Sequence, residues 1–206
     1  VQLILNMEDI IISRQGKELM QLYRSMAKDG YKREKGLPDV IPAEVFSMFG
    51  IKKFRKQLKA IVNSYSIKSV LDYGSGGSNW SAKGFDKKTN KSALDYFELD
   101  KALLYEPARG IDQRGKVDCV ICFDVLEHVF ISDIPNMLRD IISYASKLVI
   151  LNIAYYKAEA KLPNGENAHI TIRPPLWWKG ALDLISIEYP NTTIFLGCSK
   201  EINDIT

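Results

Sequence analysis

The spacing of apolar and polar positions changes character near residue 66. Before it, the repeats are helical. Over residues 8 to 28, Ile11, Leu19, Leu22, Tyr23 and Met26 recur at roughly helical spacing, and the pattern stops at Asp29-Gly30. Residues 30 to 49 carry Gly30, Gly36, Pro38 and Pro42 and read as a loop. A second helix is predicted from about Ile51 to Tyr65, with Ile51, Phe54, Leu58, Ile61, Val62 and Tyr65 on one face and lysines on the other. Such a face is built to pack on a sheet.

Beyond that point short apolar runs alternate with helical or loop segments. Strands are predicted at Ser69–Tyr73, Ala102–Glu106, Val117–Phe123, Leu148–Ala154 and Thr192–Cys198. Helices are predicted at Ile134–Ser146 and Pro175–Ile187, the second opened by Pro174-Pro175. The alternation predicts an α/β, Rossmann-like domain over residues 51–206, a mostly parallel sheet flanked by helices, preceded by a helical N-terminal extension over residues 1–50.

The first strand runs into Asp72-Tyr73-Gly74-Ser75-Gly76-Gly77-Ser78-Asn79-Trp80. Glycine permits positive φ and lets a ligand lie against the backbone, where exposed N–H groups can meet a carboxylate or phosphate. A dinucleotide fingerprint would need a third glycine where Asn79 stands, and the Lys-Ser/Thr ending of a P-loop is also missing. An acidic residue two positions before G-x-G resembles motif I of the class I S-adenosylmethionine-dependent methyltransferases. The next strand ends in Leu104-Tyr105-Glu106-Pro107, and an acid at the tip of the second strand is the group that holds ribose hydroxyls in nucleoside-binding Rossmann folds.

Val117-Asp118-Cys119-Val120-Ile121-Cys122-Phe123-Asp124-Val125-Leu126-Glu127-His128 closely resembles the corresponding segment of small-molecule methyltransferases such as the ubiquinone-biosynthesis O-methyltransferases. Leu162-Pro163-Asn164-Gly165-Glu166-Asn167-Ala168-His169 and the following Pro-Pro-x-Trp-Trp are similar to uncharacterised phage and bacterial methyltransferases. The resemblance covers about residues 66 to 200. It implies S-adenosyl-L-methionine as cofactor, held by Asp72, Gly74, Ser75, Gly76, Glu106, Asp124 and His128, with Asp118 preceding the fourth strand. It also implies a histidine facing the substrate after the fifth strand, here His169. Only Pro107 to Lys116 separate the second- and fourth-strand motifs, which leaves room for no more than an abbreviated third strand. The adenine contact is left to Asp112, Gln113 or backbone groups.

Only two histidines occur in the chain, His128 and His169, and both fall in loops at the expected site edge. Imidazole is suited to taking a hydroxyl proton near neutral pH, which makes His169 the candidate general base. Trp177 and Trp178 suit either the acceptor pocket or the core. Methyl transfer is an in-line displacement that needs no metal, and no metal ligand is assigned. The expected reaction is O-methylation of a small molecule or glycan precursor. A catalytically silent S-adenosylmethionine-binding or scaffold protein of the same fold is the alternative. An NAD-dependent oxidoreductase is disfavoured by the missing third glycine.

Composition adds bounds. Among 206 residues, 46% are hydrophobic and 26% charged, and no apolar run approaches the roughly 20 residues of a membrane span. The first residues do not resemble a signal peptide. Cys119, Cys122 and Cys198 are odd in number and lie in strand-like runs, which suggests reduced core thiols and a cytoplasmic setting. On a strand, Cys119 and Cys122 would point to opposite faces, against a zinc or redox role. Residues 1 to 68 hold 13 Lys/Arg against 7 Asp/Glu, and the remainder 15 against 18. The basic cluster of Lys52, Lys53, Arg55, Lys56 and Lys59 is read as a solvated helix face rather than a nucleic-acid surface. The N/D-P-P-Y/F signature of amino-methylating DNA enzymes is also missing.

Overall fold

Parallel strands covered on both faces must be apolar at successive positions, and the runs beyond residue 66 meet that requirement. In the computed structural model, which describes residues 10 to 33 and 36 to 201, they form a six-stranded, mostly parallel sheet flanked by helices. This is an α/β architecture consistent with a Rossmann-like fold. The elements are α1 (Arg14–Asp29), α2 (Phe49–Lys53), α3 (Arg55–Ser64), β1 (Ser69–Tyr73), α4 (Ala93–Phe97), β2 (Lys101–Glu106), β3 (Ile111–Asp112), β4 (Val117–Phe123), α5 (Ile134–Ser143), β5 (Ala145–Ala154), α6 (Pro175–Ser186) and β6 (Thr193–Ser199). The strand order is β3-β2-β1-β4-β5-β6, all pairs parallel except β2 with β3. Among the described residues, no helix is long and apolar enough to cross a membrane.

Alternation along the strands sorts the core into two layers. Leu71, Tyr73, Val120, Cys122, Val149 and Leu151 face α5 and α6, meeting Leu138, Ile141, Trp178 and Leu182. Val70, Cys119, Ile121, Leu148 and Ile150 face the other way, onto Leu58 and Val62 of α3 and Phe97 of α4. Cys119 and Cys122 therefore lie on opposite faces, as their spacing required, while Cys198 is only partly buried. Trp178 is fully buried in the first layer, with Trp177 edge-on against it, so the pair packs the core and does not line a pocket.

Several boundaries differ from those expected. Residues 10 to 12 are not helical, because Ser13 caps α1: its hydroxyl accepts from the Gly16 amide at 3.0 Å. Residues 8 and 9 of the predicted helix lie outside the described residues. The second predicted helix breaks at Phe54, whose ring stands edge-on to Phe123. The fifth strand starts at Ala145 instead of Leu148, since Ala145 pairs with Val117 across an irregularity in β4, and α5 ends earlier to allow it. Asp118 lies inside β4, where its carboxylate accepts from the Lys68 and Ser69 amides at 2.8 and 3.1 Å. The third strand is cut to two residues and runs antiparallel at the sheet edge.

A third, smaller cluster docks α1 across the strand ends. Leu19, Tyr23 and Met26 pack against Ala158, Leu162 and Ala168 of the segment after β5. The start of α1 is pinned by Asp133, which accepts from both the amide and the hydroxyl of Ser13 at 2.8 Å. Removing that carboxylate in Asp133→Ala should cost about 1–2 kcal/mol at the helix start. Hydrogen exchange should then accelerate at Gly16 and Lys17 while the amides of β1, β4 and β5 stay protected. Unchanged exchange at the helix start would show that the cap does not anchor it.

Candidate functional site

Strand order reverses at β1: the chain builds outward through β2 and β3, then returns to place β4 on the other side. At such a switch point the loops leaving neighbouring strands diverge and open a crevice at the carboxyl ends. Here the two loops touch at one point. Gly74 has φ +80°, and a Cβ on it would stand 2.3 Å from Val125 Cγ2. Gly76 has φ +56°, and its Cβ would stand 2.2 Å from the Phe46 carbonyl oxygen. Both glycines are required by backbone angle and by contact. Around them lies a cavity of about 970 Å³, roofed by α1 and the segment around Phe46.

Of the residues assigned to the cofactor, Asp72, Gly74, Ser75, Glu106, Asp124 and His128 line this cavity, as does His169. Gly76 does not, because Phe46 covers it. The expectation that the glycine turn presents free amides also needs correction. Gly74 and Ser75 donate to the Tyr105 carbonyl at 2.8 and 2.9 Å, Gly77 to Phe46 at 2.7 Å and Ser78 to Ser75 at 2.9 Å. The Gly76 amide donates to Glu106 Oε2 at 2.8 Å. All five donors are already engaged.

Glu106 thus clasps the turn to the tip of β2, and its Oε1 accepts from the Ala108 amide at 3.0 Å. Its two bonds leave half of the carboxylate's roughly four acceptor positions open. Burial raises its pKa, opposed by these same amides. Ser75 Oγ is buried in the cavity wall with no partner among the described residues. Asp72, on the opposite sheet face from Tyr73, accepts from Trp80 Nε1 at 2.9 Å and so holds the far end of the turn. Asp112 lines the cavity but is paired with Arg114, at 2.6 Å, which in turn lies over the Tyr105 ring. Gln113 accepts from the Leu104 amide and belongs to the sheet edge.

The opposite wall is built from the end of β4. Asp124 takes φ 56° and accepts from Asn152 Nδ2 at 2.8 Å. Glu127 is fully buried: Oε1 accepts from the Ala154 amide at 2.9 Å, and Oε2 has no partner among the described residues. Its backbone carbonyl accepts from Ile170 and Thr171, both at 2.9 Å, which folds the segment after β5 back over the site. That return brings His169 to His128, with ring centroids 4.9 Å apart. His128 Nδ1 lies 2.9 Å from the Ala168 carbonyl, and Tyr23 donates its hydroxyl to the same oxygen at 2.8 Å. His169 Nδ1 lies against the Tyr156 carbonyl.

These neighbours set the protonation pattern. A carbonyl only accepts, so both Nδ1 atoms carry hydrogen and both Nε2 atoms keep lone pairs. Burial holds the histidines neutral, His128 pushed down to about 3 and His169 also lowered. Burial raises Asp124 and Glu127, the latter raised further by the Asp124 charge. One donor atom from each of Glu127, His128 and His169 lies within 4.8 Å of the other two, a set able to hold a metal ion. Neither a separate role for Glu127 nor any role for Tyr23 was assigned from sequence. An acid inside an otherwise apolar Leu-Glu-His turn was the one available sign of the first, whereas Tyr23 looked like any core position of α1.

Burial pushes Asp72 up to about 6 from 3.8, partly offset by the Trp80 hydrogen bond. A raised carboxyl pKa contributes stability that is fully present below pH 3.8 and lost as pH rises through about 6. Asp72→Asn keeps an acceptor for Trp80 and removes the charge. The variant should match wild type at pH 3.5 and be about 1–3 kcal/mol more stable at pH 7.5. Urea unfolding across that range checks it, and a pH-independent difference would contradict it.

No protein-family model, no curated protein and no solved structure matches this chain, and the functional reading therefore rests on the geometry of the site.

Proposed function

We propose that the protein is an S-adenosylmethionine-dependent methyltransferase that O-methylates a small molecule or glycan precursor. The observation that carries the reading is Glu106, a buried carboxylate at the tip of β2, clasped to a glycine turn and open to the cavity. A carboxylate so placed can take a pair of ribose hydroxyls. The remaining donor set fits the same cofactor: Ser75 Oγ has no partner among the described residues, and Gly74 lets a ligand approach the backbone. Asp124 offers a carboxylate on the β4 side. The cavity volume is large enough for a nucleoside and a small acceptor together.

S-adenosylmethionine supplies an activated methyl group on a sulfonium. This chain's residues orient the partners, with α1 and Phe46 lying over the cavity. The acceptor hydroxyl is activated at His169, whose Nε2 lone pair is open because Nδ1 is committed to Tyr156. Tyr23 and the Ala168 carbonyl hold the neighbouring His128 ring in place.

Calorimetric titration tests the cofactor. S-adenosylmethionine and its demethylated product should bind with one site per chain and NAD should not. Glu106→Ala should weaken the nucleoside by about tenfold to a hundredfold, in line with loss of charge-assisted hydrogen bonds. Equal affinity in that variant would remove the ribose assignment. With an acceptor in hand, His169→Ala should keep cofactor affinity and melting temperature but lose about 10² to 10⁴ in turnover. Turnover that merely follows the folded fraction would make His169 structural.

A further inference from the structure

Both of the chain's histidines, His128 and His169, stand beside Glu127, which is fully buried. Each ring is held by Nδ1 on a backbone carbonyl, Ala168 for one and Tyr156 for the other, which aims a lone pair from Nε2. Ligating histidines are held in this manner, the second nitrogen donating to a carbonyl or carboxylate that fixes tautomer and ring orientation. Glu127 is anchored through Oε1 on the Ala154 amide, while Oε2 is sealed from solvent without a donor among the described residues. A buried carboxylate oxygen of that kind calls for a cationic or hydrogen-bonding partner.

We infer that Glu127, His128 and His169 bind one divalent transition-metal ion. Two imidazole nitrogens and one carboxylate oxygen suit Zn²⁺, Co²⁺, Mn²⁺ or Fe²⁺ better than Mg²⁺ or Ca²⁺, which prefer all-oxygen shells. Bonds near 2.1 Å put donors around one ion roughly 3 to 3.5 Å apart. The trio, spread over at most 4.8 Å, therefore closes by no more than about 2 Å. Room for the ion lies where two spaces meet. His128 and His169 line the large cavity, and Glu127 and His169 line a crevice of about 140 Å³ beside Asp124 and Asn152.

Three protein donors leave at least one coordination position open. On the methyltransferase reading, an acceptor oxygen takes it, and the ion polarises that oxygen in place of direct proton transfer to His169. The metal site itself does not depend on that reading.

The test uses the full chain without an affinity tag, stripped with chelator and titrated with Co²⁺ in the absence of any nucleoside. One Co²⁺ per chain should bind and develop visible ligand-field bands, Zn²⁺ should displace it, and millimolar Mg²⁺ should not. Glu127→Gln keeps an acceptor for the Ala154 amide, and His169→Ala alters a partly exposed loop position. Each should weaken Co²⁺ by at least about 100-fold with an unchanged circular dichroism spectrum. If the glutamine variant does not fold, the His169 variant decides alone. Absence of ligand-field bands, or wild-type affinity in a folded variant, overturns the proposal. With no cofactor in the assay, such a failure leaves the methyltransferase reading untouched, and failure of nucleoside binding leaves the metal result untouched.

Discussion

Glu127 adds a side-chain anchor and a backbone anchor at the place where the ends of β4 and β5 meet the segment that returns after β5. Its side chain takes the last amide of β5, and its backbone carbonyl takes two amides of the segment that returns after β5. Those bonds reinforce the β4–β5 pairing and, together with the Thr171 hydroxyl on the Val129 carbonyl, fix the path of the loop carrying His169 over the cavity. A carboxyl group with no exposure is costly unless its oxygens find partners. Among the described residues only one of them does. The anchoring and the chemical potential of the site come from the same buried side chain.

The far wall follows a different logic. A glycine-rich turn at a strand end is usually read as a cradle of free amides, but here the five successive donors from Gly74 to Ser78 are all consumed within the fold. Three of the five bonds go to the tip of β2, two to the Tyr105 carbonyl and one to the Glu106 carboxylate, and one goes to Phe46 in the segment before α2. The turn therefore works by shape: Gly74 lets the β1 and β4 loops touch, and Gly76 lets the extension lie flat on the turn. Polar recognition passes to side chains, namely Glu106, Ser75 and Asp124. The cavity has the sheet edge as its floor and α1 over it, so the buried carboxylates on its walls face a space partly shielded from solvent.

Much of this was legible beforehand because it depends on local periodicity. Strands of a parallel sheet are apolar at successive positions whatever their neighbours, so the five long strands were recoverable to within a few residues, as were the glycine turn and the acid at the tip of the second strand. The short spacing between Glu106 and Val117 already implied a curtailed third strand, since chain length limits what can be built. Boundaries were less legible where a distant partner sets them. Asp133 holds the start of α1 from 120 residues away, and pairing with Val117 claims Ala145 for β5.

The site divides along the same line. That Asp72, Glu106 and Asp124 lie at strand ends follows from the residues next to them, because an apolar run followed by an acid and a turn former specifies an edge in any context. That His128 and His169 share one pocket, with Nδ1 committed and Nε2 bare, does not follow, for it depends on carbonyl oxygens of Ala168 and Tyr156 that every residue possesses and no side-chain pattern announces. Nor could the spacing reveal that the turn's amides are spent or that Glu127 keeps one oxygen unpaired among the described residues. Hydrogen bonds to the backbone carry no residue signature, so their allocation emerges only when the chain has closed on itself.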